Sequence, residues 1–135
     1  SWFLPRLIGI DKALELCYTG KVISAEEAKE INLVSEVLPQ EKLIERALEI
    51  AKEFTAESSQ ISIALTRQMM WRMLGADDPM EAHKVDSRAI FELGQSGEAV
   101  EGVTSFLEKR SPSFPGKVSK DMPSFFPWWN EKEFE

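Results

Sequence analysis

Four basic side chains, Lys109, Arg110, Lys117 and Lys120, stand between residues 109 and 120 with no acidic residue among them. They give a local charge of +4 in a chain whose formal net charge is -7. Such an island in an otherwise anionic molecule suits a multiply phosphorylated ligand. The remaining chemistry-bearing residues are sparser. His83 is the only histidine and has Asp86 one helical turn away, the outline of an acid–base pair. No motif places a Ser or Cys nucleophile beside it, so a histidine on a helix surface is the plainer reading. A metal centre fails for want of a second His or of paired Cys ligands. Gly20-Lys21 lacks the glycine and hydroxyl spacing of a phosphate loop. Glu26-Glu27 reads as helix-start charge, and the glutamates after Glu131 as a solvated tail.

The elements that carry these residues are mostly helices. Ile10–Tyr18 is amphipathic, with Ala13, Leu14 and Cys17 on one side and Gly20 to stop it. Ser24 and Glu27 form a capping-box pattern ahead of a short helix, Ala25–Ile31. Asn32 then stands where the chain must turn left-handed. Leu33–Leu38 alternates apolar and polar residues and predicts a short strand, closed by Pro39. That strand has no partner in the sequence, which implies that a pairing sheet lies elsewhere. Helices follow over Glu41–Phe54, Gln60–Leu74 (capped by Ser58 or Ser59), Pro79–Leu93 (capped by Asp78) and from Ser96 to about Arg110. Four prolines after Ser111 forbid a further continuous helix. The aromatic run Phe125-Phe126-Pro127-Trp128-Trp129 would be an aggregation patch if left in water. It is expected to pack on the chain's own helices or on a neighbouring subunit.

The 135 residues fit one domain or part of one, and a hydrophobic content of 43% excludes general disorder. The negative charge argues against nucleic acid as a partner. No apolar run approaches the length of a membrane span. One cysteine, Cys17, leaves no internal disulfide, and a reduced cytoplasmic setting is expected. The first residue is Ser1 rather than Met, which reads as a piece of a longer chain.

One ordered series carries more than these local readings. Ser1–Gly9 (SWFLPRLIG) precedes Lys12-Ala13-Leu14-Glu15-Leu16, Thr19-Gly20-Lys21, Ile23-Ser24-Ala25-Glu26-Glu27-Ala28 and Leu33-Val34. Glu101-Gly102 and Phe106-Leu107-Glu108-Lys109-Arg110 follow, with Pro112, Phe114 and Gly116 beyond. The series resembles the C-terminal half of the enoyl-CoA hydratase/isomerase (crotonase) family, over roughly the first 116 residues. The resemblance implies a mainly α fold: the helical C-terminal region of a crotonase-like fold with one short strand, its β-spiral core absent from this chain. Residues 1–40 would be the remnant joining that core, 41–116 the helical oligomerisation region and 117–135 an irregular aromatic tail.

What the resemblance implies about function follows from the same residues. The ligand is an acyl-CoA thioester, taken as substrate with no separate cofactor, in fatty acid metabolism. Homo-oligomers, a trimer or a dimer of trimers, are implied. The family's two oxyanion amides and its catalytic glutamates lie upstream of the matched segment, so no catalytic residue is assigned here. Phe106 and Lys109 resemble residues that contact the CoA adenine and phosphates, often from a neighbouring subunit. The chemistry fits: an aromatic face stacks on a purine and an ammonium group neutralises phosphate. The alternative places Phe106 in the core and the lysines in solvent. Arg110 is expected to pair with a neighbouring carboxylate. Trp2 and Phe3 resemble residues lining the acyl pocket; equally, they would pack under the following helix. Hydratases, isomerases, hydrolases, dehalogenases and decarboxylases share this pattern, so reaction type stays open. A non-catalytic, self-associating helical module is the alternative reading of the whole.

Overall fold

A computed structural model describes residues 1–134. They divide into two compact units, Ser1–Ala47 and Leu48–Glu135. Among the described residues there are seven α-helices and no strand.

The first unit opens with α1 (Phe3–Ile8), an element absent from the sequence reading. Pro5 is tolerated there because its missing amide is one of the orphan donors of a helix's first turn. Gly9, at φ 81°, breaks α1 from α2 (Ile10–Thr19), against which it packs. Gly20, left-handed at φ 59°, ends α2 as expected. In α3 (Ala25–Glu30) the capping box forms in full: Glu27 N–H donates to Ser24 Oγ at 3.0 Å and Ser24 N–H to Glu27 Oε2 at 2.9 Å.

The helix end after α3 overturns the strand predicted over Leu33–Leu38. Asn32 is left-handed at φ 60°, its N–H bonds to Lys29 O at 3.0 Å, and Leu33 N–H reaches back to Ala28 O at 2.8 Å. This is the two-bond Schellman closure. Val34 N–H also donates to Ala28 O, at 3.3 Å. The amides that would open a strand ladder are spent closing a helix, and residues 33–39 run as bends and irregular chain. The inference of a pairing sheet from that strand therefore lapses.

A 3₁₀ turn (Gln40–Lys42) leads into α4 (Leu43–Thr55), within which the division between units falls. In the second unit α5 (Gln60–Met73) packs on α6 (Pro79–Gly94), and α6 on α7 (Gly97–Glu108). Ser59 caps α5, and Asp78 with Pro79 starts α6 as its sequence dictates. Ser96 precedes α7 but does not cap it; its hydroxyl donates to Leu93 O at 2.6 Å instead. The buried apolar core is small: Ile61 and Leu65 of α5 against Val85 and Ala89 of α6.

Candidate functional site

The site is built at the end of α7. There Lys109 N–H bonds to Phe106 O at 3.3 Å and Arg110 N–H to Ser105 O at 3.1 Å, a second Schellman closure. The left-handed position, φ 54°, is occupied by Lys109 rather than glycine. An L-residue pays about 1–2 kcal/mol in that conformation. Such a conformation in a residue other than glycine marks Lys109 as a candidate position.

The chain after Lys109 is pinned by carboxylates of α7. Glu101 accepts both Arg110 Nη1 and Nη2, at 2.6 and 2.8 Å, and the Ser113 N–H at 2.6 Å. Arg110 Nε also donates to Glu108 at 2.7 Å. The paired guanidinium, and then the Ser113 amide, lower the Glu101 carboxyl from its ordinary 4.5 to about 2. Hydrogen bonds to Glu101, and then to Glu108, raise the Arg110 pKa. One helical turn earlier, Glu98 Oε1 takes the Gly116 N–H at 2.8 Å. Gly116 sits so close that an added Cβ would lie 2.4 Å from Ile61 Cδ1 and 2.7 Å from Glu98 Oε1. Phe114 lies over Gly102. Residues 110–116, which follow Lys109, are thus fastened to α7 at Arg110, Ser113 and Gly116.

Of the basic island, Arg110 is consumed by Glu101 and Glu108, as expected for it. Lys109, Lys117 and Lys120 make no ion pair among the described residues and are exposed. Phe106 is 81% exposed, so its core reading fails. The amphipathic pattern of α7 is in fact turned outward. Val100, Val103, Phe106 and Leu107 are exposed, while Ser105 is buried and Ala99 and Gly102 half-buried. The small residues of α7 are thus its covered ones, and its large apolar side chains stay exposed among the described residues.

Trp2 and Phe3, in the first unit, are exposed. The Arg6 guanidinium lies over the Trp2 ring at 3.5 Å and donates to Trp2 O at 2.9 Å. Phe106 and Lys109 belong to the second unit, so the two candidate pairs are carried by separate bodies. His83 is exposed on α6 with no hydrogen bond to Asp86 among the described residues. No group of three metal-ligating side chains occurs among the described residues. No helix is long and apolar enough to cross a membrane.

Two features escaped the sequence reading. Glu98 and Glu101 act as loop clamps at separations of 18 and 9–12 residues, which no local motif reports. The other is a groove of about 660 Å³ between α5, α6 and α7, lined by Leu65, Met69, Ala89, Ile90, Leu93 and Phe114 among others.

Comparison with known proteins aligns with this arrangement. The sequence model of the family described as enoyl-CoA hydratase/isomerase matches residues 1–117. Enoyl-CoA hydratase ACTT3 of Alternaria alternata is 41% identical over 115 residues, 84% of this chain but 38% of that protein. A probable enoyl-CoA hydratase of Bacillus subtilis is 35% identical over 84% of this chain and 44% of its own length. Among solved structures, a probable enoyl-CoA hydratase/isomerase from Mycobacterium abscessus superposes with a TM-score of 0.78 at 32% identity, covering 86% of this chain and 45% of that one. The enoyl-CoA hydratase of Bacillus anthracis gives 0.77 at 36% identity, covering 84% and 43%. The chain thus spans about two fifths of the length of these curated relatives.

Proposed function

The chain belongs to the enoyl-CoA hydratase/isomerase family, and from that premise we propose that it serves as the C-terminal, CoA-contacting and subunit-clasping part of an acyl-CoA enzyme. The ligand is an acyl-CoA thioester. Lys109 supplies a cation to the nucleotide phosphates and Phe106 a flat surface to the adenine. Trp2 and Phe3 contribute apolar wall to the acyl pocket. Oxyanion donors and acid–base glutamates come from sequence outside these residues, so the chain by itself performs no hydration. A cytoplasmic setting accords with the lone, unpaired Cys17.

The observation that carries this reading is Lys109 itself. It is a lysine in a glycine's backbone conformation, followed by Arg110, which is fixed to Glu101, with exposed Phe106 one turn before it. The outward stripe of α7 supports the clasping role, because exposed Val103, Phe106 and Leu107 gain roughly 25 cal/mol per Å² once covered. The purified chain is expected to sediment as an assembly larger than 15.3 kDa and to show no turnover of a short-chain enoyl-CoA. A compact monomer at high concentration would refute the clasping role. Measurable hydration would refute the assignment of catalysis to other sequence.

A further inference from the structure

Residues 118–134 lie beyond the segment matched by the family's sequence model, yet they are fastened to the helices at two charged points. The first is on α6. Both oxygens of Glu92 accept from Ser124, one from its hydroxyl and one from its N–H, each at 2.8 Å. The second is on α5. The Arg72 guanidinium lies over the Trp129 ring at 3.3 Å from its centroid. A guanidinium over an indole face is attracted by the ring's quadrupole, more strongly where the pair is desolvated.

The stretch between the two points is braced by its own rings. Trp129 stands edge-on to Phe126 (5.2 Å, 89°) and to Trp128 (4.8 Å, 90°). Phe126 N–H closes on Pro123 O at 2.9 Å, and Pro123 is buried. Trp129 Nε1 is buried without an acceptor.

We propose that residues 123–129 form a strap that clamps α5 to α6 as one unit and thereby sets the spacing of the groove between them. The anchors are tied to the groove walls. Met69 precedes Arg72 by one turn, and Ile90 and Leu93 bracket Glu92; all three of these apolar residues line the groove. Release of either anchor frees the whole strap, because the ring stack transmits the loss, and the walls relax.

Nuclear magnetic resonance on the full chain tests this with Arg72→Ala and Glu92→Ala. Arg72→Ala is expected to speed exchange of the Ser124 amide at least about tenfold, although Glu92 is untouched. Glu92→Ala is expected to move the Trp129 indole resonance to that of an exposed ring. Both should shift the Met69 methyl signal, while the Arg110 amide in the α7 closure keeps its protection. If each variant alters only its own end, or if the Met69 methyl stays put, the strap is not a unit and the inference fails. Should Arg72→Ala lose the fold, Arg72→Lys keeps the charge without the planar stack. It is expected to give the same changes at smaller amplitude, and the absence of any would be equally fatal.

Discussion

If Lys109 meets CoA as proposed, stability and ligand binding pull in opposite directions at this single residue. Lys109→Gly relieves the left-handed strain and is expected to stabilise the chain by about 1 kcal/mol in thermal unfolding. The same change should weaken CoA binding roughly tenfold, ~1.4 kcal/mol, in a calorimetric titration. A stabilised variant with unchanged affinity would show the strain to be idle. Glu101 makes a pH prediction. Its carboxyl is lowered from 4.5 to about 2 in the folded chain, so the folded state binds fewer protons than the unfolded one between those values. Stability from the Arg110 clamp is therefore complete above about pH 4.5 and lost as pH falls toward 2. The thermal midpoint of Glu101→Gln should lack that acid dependence. Gly116→Ala forces a Cβ into Ile61 Cδ1 and Glu98, and is expected to cost about 1–3 kcal/mol by denaturant titration. Side-chain pairing at this scale was partly legible: Arg110 was expected to meet a carboxylate and does. The backbone strain of Lys109 was not, because no residue type announces a left-handed lysine.

At the scale of elements, helix starts were readable where the cap is a local bond. Ser24 and Glu27 close both halves of their box, and Ser24→Ala is expected to destabilise the first unit by about 1 kcal/mol, measured by amide exchange in α3. Readings that needed a partner were less secure. The alternation of Leu33–Leu38 suggested a strand, but the Leu33 and Val34 amides were already committed to Ala28 O. A period-2 pattern reports which side chains alternate, not whether the backbone donors are available. The core alternative for Phe106 failed in a different way: a 3.6-residue period groups apolar side chains on one face of a helix but does not say what covers that face. Ser96 had an alternative acceptor in Leu93 O and took it.

At the scale of the molecule, family membership was legible because an ordered series of short motifs runs from Ser1 to Gly116, and the family's sequence model matches residues 1–117, whereas the clamps at Glu98 and Glu101 required the fold. The second unit leaves Ile90 of α6 and Val100, Val103 and Leu107 of α7 exposed around a core of four apolar residues. Under the proposed clasping role, a neighbouring copy covers this surface. Leu107→Glu, placing a charge in the stripe, is expected to reduce self-association in sedimentation velocity while leaving the helical circular dichroism intact.

The central claim is that the end of α7 meets the nucleotide part of a CoA thioester, and residue-resolved titration with free CoA tests it most directly. The account predicts that resonances of Phe106 and Lys109 move together and saturably as CoA is added, and that Lys109→Glu abolishes the movement. Saturable shifts centred elsewhere, or none at either residue, would contradict it.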